Sequence, residues 1–136
     1  MNGFVSQQPD PTSVRIALRS FGFKYGMPDG AHFVVDMRFL PNPFWVPELK
    51  PFNGRDERVR DYVLGQEQAI EHITCYAGMI CELTERYRRK GKGKVTVAVG
   101  CTGGKHRSVV AVEFLMEILV KRGYNVTATH GDLGRE

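Results

Sequence analysis

The chain has 136 residues, of which 42% are hydrophobic, which is enough for one compact domain with a core but too little for two ordinary domains. Nineteen lysines and arginines stand against 15 acidic residues, and the net charge of +4 favours anionic partners without indicating a dedicated nucleic-acid binder. The three cysteines form no CxxC pair, which argues against a disulfide framework or a structural zinc site and favours the reducing cytoplasm. No stretch resembles a signal peptide or a membrane span, and we expect neither a metal nor another cofactor.

The first half of the chain predicts two strands joined by loops. Residues 1–12 contain Gln-Gln-Pro-Asp-Pro and few apolar side chains, so we expect a flexible tail before a domain that spans 13–136. From Val14 to Arg19, apolar residues alternate with arginine and alanine, which is the period of a strand with one polar face. The remaining segments of this half are a glycine-rich loop, a second strand and a stiff loop with four prolines, at 21–30, 31–39 and 40–53.

The second half of the chain predicts alternating helices and strands. Apolar residues recur at every third or fourth position over 67–89, which predicts a long helix with one buried stripe. Valines among small residues predict a buried strand over 95–99, and the helix over 109–120 is apolar nearly all round, so it should be covered on several sides. A short helix over 56–64 and a last strand over 125–129 complete the pattern. A strand, a helix and a strand in that order form a right-handed parallel unit, so we expect a single α/β domain whose mixed or partly parallel sheet is flanked by helices.

The stretch over 100–108 carries the strongest functional signal, because a glycine-rich turn joins a strand to a helix there. Gly103 and Gly104 permit backbone angles that cost other residues more, and they let the main chain approach a ligand closely. The turn is also basic, with three such residues in succession, Lys105, His106 and Arg107. These side chains, free N–H groups and the positive end of the following helix suit a phosphate, a sulfate or a carboxylate. Because adjacent cations would repel each other without an anion, the pattern predicts an anion-binding turn.

The spacing of this turn separates it from a nucleotide-binding P-loop, which needs four residues between its glycines rather than the three between Gly100 and Gly104. It does match the signature of cysteine-dependent phosphatases, in which Cys101 would attack a phosphoryl group, Arg107 would hold its oxygens and Ser108 would assist departure of the thiolate. Against this alternative, Gly100 stands where such phosphatases commonly carry a histidine, and the proline-rich loop has no obvious aspartate acid. A plain chain reversal without a ligand is the third interpretation.

Three strings of residues, in this order along the chain, resemble the RapZ C-terminal domain family of RNase adapter proteins. They are Phe-Lys-Tyr-Gly at 23–26, Asp-Met-Arg-Phe-Leu-Pro-Asn-Pro at 36–43 and Gly-Cys-Thr-Gly-Gly-Lys-His-Arg-Ser-Val at 100–109. The resemblance extends from about Val14 to His130. Full-length members begin with a P-loop nucleotide-binding domain, and this sequence has no Walker motif, so the resemblance implies the second domain standing alone.

The resemblance implies a regulatory bacterial protein, because the family's C-terminal domain binds small regulatory RNA and senses an amino-sugar phosphate. We therefore expect a non-enzymatic module that binds a phosphorylated metabolite, a sugar phosphate for example, has an RNA or RNase partner and forms a homodimer or a larger oligomer. Carried over by position and joined to the basic turn, the ligand site would comprise Asp36, Arg38, Asn42, Thr102, Gly103, Gly104, Lys105, His106, Arg107 and Ser108.

Two departures from the family pattern bear on the ligand and on RNA. Phe44 stands where the family usually has a histidine or another residue that can reach the ligand, which affects sugar specificity. Among the clustered cations of this chain, Lys121 and Arg122 are candidate RNA contacts. The family itself uses for RNA the lysine of Phe-Lys-Tyr-Gly, here Lys24, and basic residues after the last helix, where this chain has Tyr124. It also uses a lysine-rich terminus, where this chain reads Gly-Asp-Leu-Gly-Arg-Glu. A basic run over 86–94 is a further RNA candidate, but so few phosphate contacts predict weak, salt-sensitive binding.

Overall fold

The computed structural model describes residues 14–135, and the flexible tail predicted over 1–12 lies outside the described residues. Within that range, four strands and three α-helices follow one another along the chain. Their bounds are β1 Arg15–Gly22, β2 Phe33–Asp36, α1 Glu57–Leu64, α2 Ala69–Arg89, β3 Lys94–Cys101, α3 Arg107–Lys121 and β4 Asn125–His130. No helix in this part of the chain is long and apolar enough to cross a membrane.

The four strands form one sheet in the order β2-β3-β1-β4, and every neighbouring pair in it is parallel. In this register, Leu18 of β1 lies opposite Val97 of β3 and Ala128 of β4. The predicted α/β class is confirmed, and the sheet is parallel throughout residues 14–135, where the sequence predicted a mixed or partly parallel one. Because parallel strands all point the same way, the four strands end at one edge of the sheet, which we call the carboxyl edge.

One face of the sheet is covered by helices, and the other carries exposed side chains. Side chains alternate along β1, so Ile16 and Leu18 are buried while Arg15 and Arg19 are exposed. α3 packs against β1, β3 and β4 and against α2, and these elements enclose one hydrophobic core. The apolar residues of β1 therefore face the core, and its two arginines face the exposed side of the sheet, as the alternation in the sequence predicted.

Several elements differ in extent from the predicted ones. β1 continues through Phe21 and Gly22, which were predicted to belong to a loop, because both residues pair with β3. β3 and α3 are also longer than the predicted 95–99 and 109–120. α3 is buried on every side only over 107–112, whereas Val120 near its end is half exposed, so the cover predicted for the whole helix applies to its first half. β2 is shorter than the strand predicted over 31–39, because the chain turns at 38–39, where the Leu40 N–H donates a hydrogen bond to the Met37 carbonyl oxygen at 3.3 Å. This turn directs the residues after β2 across the carboxyl edge, toward the segment that follows β3.

Candidate functional site

The strand ends place several loops around one pocket of about 270 Å³ at the carboxyl edge of the sheet. These loops follow β1, β2 and β3, and α3 begins beside them. The pocket is lined by Lys24, Asn42, Phe44, Trp45, Cys101, Thr102, Gly103, Lys105, His106 and Arg107. Of the ligand site expected from the sequence, the residues that lie outside this lining are Asp36, Arg38, Gly104 and Ser108.

Gly104 holds the glycine-rich turn against the end of β1. Its φ of +71° lies in the left-handed region that favours glycine. A Cβ atom there would lie 2.6 Å from the Gly22 nitrogen and 2.8 Å from the Phe21 carbonyl carbon, so the two backbones meet without room for a side chain. Gly103 differs, since a Cβ atom at that position would meet only the Cε atom of Lys24, at 3.9 Å. Gly104 therefore serves the close approach of two backbones, and Gly103 leaves the main chain open to the pocket.

Arg107, the first residue of α3, is the buried cation of the site, with only 4% of the residue exposed. Its Nη1 donates hydrogen bonds to the main-chain carbonyl oxygens of Arg38 at 3.1 Å and Leu40 at 2.8 Å. Its Nη2 donates a longer bond, of 3.4 Å, to the Thr102 hydroxyl oxygen. Its Nε is buried and has no hydrogen-bond partner among the described residues. Burial lowers the pKa of Arg107, but a guanidinium stays charged in proteins, so a positive charge lines the pocket.

Asp36 and Arg38 form an exposed ion pair outside the pocket lining. Arg38 donates from Nε to Oδ1 of Asp36 at 3.0 Å and from Nη2 to Oδ2 at 2.7 Å, and its guanidinium lies 3.8 Å from the centre of the Phe23 ring. The hydrogen bonds from the Arg38 side chain hold the pKa of Asp36 below its ordinary value. The two side chains are thus engaged with each other, and the pocket is lined instead by Asn42, further along the same segment.

The basic turn, residues 105–107, carries less positive charge than three successive basic residues indicate. His106 is buried, which lowers the pKa of its imidazole, and its Nε2 has no hydrogen-bond partner in the described part of the chain. Lys105 donates from Nζ to the Lys50 carbonyl oxygen at 3.0 Å, which ties the turn to the proline-rich loop. Because a histidine with a lowered pKa is neutral at pH 7, the repulsion expected among three adjacent cations is reduced. Arg107 carries the buried charge of the turn.

Cys101, which lines the pocket, contacts Ser108, which lies behind it. The Sγ of Cys101 accepts a hydrogen bond from the Ser108 N–H at 3.4 Å and lies 3.1 Å from the Ser108 hydroxyl oxygen. Cys101 is 2% exposed, and Ser108 is fully buried. The hydroxyl of Ser108, which the sequence indicated as a ligand-binding group, therefore faces a sulfur atom inside the protein.

Lys24 and Trp45 line the pocket, although the sequence indicated an RNA-binding role for the first and no binding role for the second. The Lys24 N–H donates to the Thr102 carbonyl oxygen at 3.2 Å, which brings the loop after β1 onto the glycine-rich turn. Trp45 belongs to a short 3-10 helix, Pro43–Trp45, and is 76% exposed. The sequence contained a signal for each residue. Lys24 follows a strand of a parallel sheet, and such segments meet at one edge. Trp45 lies among prolines, which fix the backbone around its side chain.

The predicted RNA-binding residues lie at opposite edges of the sheet. Lys24 is at the carboxyl edge, whereas Lys121 and Arg122 lie at the far end of α3, and the basic run over 86–94 leads into the start of β3. α3 has 15 residues, so its two ends are about 22 Å apart. Two arginines of the basic run also pair with glutamates of α2. Lys24 therefore cannot share one short contact surface with the other cations.

Comparison with known proteins identifies the family of this chain. The family model described as the RapZ C-terminal domain matches residues 14–134. A protein named nucleotide-binding protein from Clavibacter michiganensis subsp. michiganensis is 53% identical over 128 residues, which cover 93% of this chain and 44% of that protein. Nucleotide-binding proteins from Streptomyces coelicolor and Rhodococcus jostii are 53% and 51% identical, over 96% and 91% of this chain and 42% and 41% of theirs. The chain spans less than half the length of these relatives, and it belongs to the RapZ C-terminal domain family.

Proposed function

We propose that this chain is a non-enzymatic module that binds a phosphorylated metabolite, such as a sugar phosphate, with the phosphate against the turn over 102–107. The observation that carries the proposal is the buried Arg107, whose Nε–H lacks a partner among residues 14–135. A buried charge is costly unless it is paired and hydrogen-bonded, and a phosphate oxygen supplies both the opposite charge and the acceptor. The amino end of α3 adds the positive end of a helix dipole.

Gly103 and Lys24 support the same assignment. The side of Gly103 that would carry a Cβ atom meets only Lys24 Cε, at 3.9 Å, so the lysine stem lies close to main chain that a phosphate could reach. The pocket of about 270 Å³ is near the lower end of the range for small-molecule sites, which suits a small metabolite. The relatives are named nucleotide-binding proteins, and that name supports a phosphorylated ligand here.

Calorimetric titration of the wild-type chain with inorganic phosphate and with sulfate, at low salt, tests the proposal. We expect both anions to bind, and we expect Lys24→Gln to bind them about three- to fivefold more weakly, because one exposed charge contributes up to about 1 kcal/mol. Arg86→Gln removes an exposed charge at the opposite edge of the sheet and should bind both anions as tightly as wild type. If neither anion binds the wild-type chain, or if both variants lose affinity equally, the turn is not an anion site.

We further propose RNA or an RNase as the effector partner of this module, as membership of the family implies. The distance between Lys24 and the basic run over 86–94 limits how RNA could bind, since β3 alone has eight residues and is about 26 Å long. One RNA segment would therefore contact either edge through a few phosphates, and its affinity would fall with rising salt. Contacts of this kind supply little sequence selectivity by themselves.

A cysteine-dependent phosphatase is the second candidate, and the contact between Cys101 and Ser108 favours it. In such an enzyme the Cys101 thiolate would form a bond to phosphorus while the bond from phosphorus to the ester oxygen breaks, and the alcohol would leave with a proton from solvent. Water would then hydrolyse the cysteinyl phosphate and release inorganic phosphate, while Arg107 held the phosphoryl oxygens. Burial opposes this role, because an attacking sulfur must reach its substrate and Cys101 is only 2% exposed.

We therefore expect no steady release of phosphate from an aryl phosphate by the wild-type chain. Cys101→Ser exchanges only sulfur for oxygen, so we expect this variant to keep the wild-type affinity for inorganic phosphate in calorimetry. Steady turnover by wild type that Cys101→Ser abolishes would replace the binding module with an enzyme.

A further inference from the structure

The segment that follows β4, residues 131–135, lies at the carboxyl edge of the sheet, and we call it the clasp. Its Asp132 is only 5% exposed, and Oδ2 of this residue accepts a hydrogen bond from the Gly22 N–H at 2.7 Å. A Cβ atom on Gly104 would lie 2.6 Å from the same Gly22 nitrogen and 3.1 Å from the Asp132 Cβ atom. The clasp is therefore bound to the strand end that supports the glycine-rich turn.

Arg135 connects the clasp to the loop after β1. Its Nη1 donates a hydrogen bond to the other carboxylate oxygen of Asp132, Oδ1, at 2.9 Å. Its guanidinium lies 4.5 Å from the centre of the Tyr25 ring, and the Tyr25 hydroxyl donates to the Arg135 carbonyl oxygen at 3.2 Å. Because 56% of the Arg135 side chain is exposed, these contacts, and not burial, hold it beside the ring.

Tyr25 also contacts a second cation, which belongs to the pocket. Lys24 Nζ lies 5.1 Å from the centre of the same ring, and Lys24 lines the pocket. A cation–π contact at an exposed site changes an equilibrium constant by about two- to fivefold. The Tyr25 ring therefore competes with an anion in the pocket for the Lys24 ammonium.

Arg135 weakens the attraction of the Tyr25 ring for Lys24, because two cations close to one ring repel each other. The Arg135 guanidinium is the closer of the two to the ring centre, and Asp132 fixes it there through an ion pair. Lys24 is exposed and extends from the loop on a flexible stem, so its ammonium is the group that yields. The direction in which it can yield includes the pocket that it lines.

We infer that Arg135 is a positioning residue of the proposed phosphate site, because it keeps the Lys24 ammonium available to an anion in the pocket. Asp132 supports this role by holding Arg135 beside Tyr25. The inference rests on the proposed function and extends it, since it assigns control of phosphate affinity to a segment outside the pocket lining. Without Arg135, the Lys24 ammonium would stay on the Tyr25 ring, and a phosphate would have to displace it from there.

A double-mutant cycle with Arg135→Met and Lys24→Gln tests this role, with calorimetric titration of inorganic phosphate at low salt as the measurement. We expect Arg135→Met alone to bind phosphate about two- to threefold more weakly than wild type, which is within the range of one cation–π contact. In the Lys24→Gln background the same substitution should leave the affinity unchanged, because the residue through which Arg135 acts is missing. Arg86→Met, at the opposite edge of the sheet, should have no effect in either background.

Tyr25→Leu provides a second test, because it removes the ring that competes for Lys24. We expect this variant to bind phosphate at least as tightly as wild type, and we expect the further change Arg135→Met to have no effect on it. A folded Tyr25→Leu chain that binds phosphate more weakly than wild type would contradict the inference.

The cycle separates positioning from two simpler roles of Arg135. If the guanidinium acts on the anion only through its charge, Arg135→Met weakens phosphate binding equally with and without Lys24, and that result would overturn the inference. A purely structural role would lower the urea midpoint of Arg135→Met without any coupling to Lys24, and an unchanged phosphate affinity in Arg135→Met would also refute positioning. If the wild-type chain binds no phosphate at all, the proposed function fails together with this inference.

Discussion

Arg107→Met is expected to lower the affinity for inorganic phosphate and sulfate by about 100-fold or more, since removing one partner of a buried, hydrogen-bonded charge pair costs several kcal/mol. Methionine fills much of the space of the arginine stem but carries neither a charge nor an N–H donor. The carbonyl oxygens of Arg38 and Leu40 lose their common donor, so the free energy of unfolding should fall by about 1–3 kcal/mol. Calorimetry on the folded variant measures the first effect, and urea denaturation measures the second.

Two further variants separate the geometry of Arg107 from its charge. Arg107→Lys keeps the charge but lacks the planar guanidinium, whose Nη1 reaches two carbonyl oxygens and whose Nη2 reaches Thr102, so we expect an affinity between those of wild type and Arg107→Met. Arg86→Met removes an exposed arginine at the opposite edge and should bind phosphate as wild type does. A folded Arg107→Met chain that binds phosphate as tightly as wild type would remove the central element of the proposed site.

Gly104→Ala is expected to lower the free energy of unfolding by about 2–5 kcal/mol, which combines a left-handed backbone angle with overpacking. The added methyl group would lie 2.6 Å from the Gly22 nitrogen and 2.8 Å from the Phe21 carbonyl carbon. Both of these are backbone atoms in or next to the end of β1, so neither can move aside as a flexible side chain would. The turn and the strand end must therefore separate, and urea denaturation monitored by circular dichroism measures the cost.

Gly103→Ala is the matched control, because it adds the same methyl group one residue earlier. The nearest atom there is Cε of a flexible lysine at 3.9 Å, so we expect a change in stability below about 1 kcal/mol. Phosphate affinity should fall in this variant, since the methyl group projects over main chain that a phosphate would approach. Equal urea midpoints for Gly103→Ala and Gly104→Ala would contradict the different roles assigned to the two glycines.

The alternating faces of β1 and the buried stripe of α2 could be predicted from the sequence because a buried face imposes its period on the residues that form it. Ile16 and Leu18 alternate with exposed arginines, and that alternation was visible without a structure. The position of β1 between β3 and β4 was not visible, because these partners lie far along the chain and side-chain alternation does not record which strand lies alongside. For the same reason the sequence indicated a partly parallel sheet rather than a fully parallel one.

The candidate site could be predicted where its residues are contiguous in the chain and not where they meet through the fold. The turn over 100–108 could be recognised from its glycines and basic residues. The approach of Lys24 and Trp45 to this turn could not be predicted, because it depends on where two other strands end. A motif also does not distinguish ligand contact from backbone support. Gly104 and Ser108 belong to the motif, yet the first packs against the end of β1 and the second against a cysteine sulfur.

Arg107 joins the start of α3 to the turn after β2 and to the beginning of the proline-rich loop, through its hydrogen bonds to the carbonyl oxygens of Arg38 and Leu40. Lys105 adds a third link to this loop through the Lys50 carbonyl oxygen. The loop therefore cannot open without releasing the beginning of the helix, and the two segments form one cooperative unit in local unfolding. An anion held by Arg107 would stabilise that unit by mass action and slow amide hydrogen exchange across 38–50. A ligand that contacts few atoms would thus determine how often the whole segment opens.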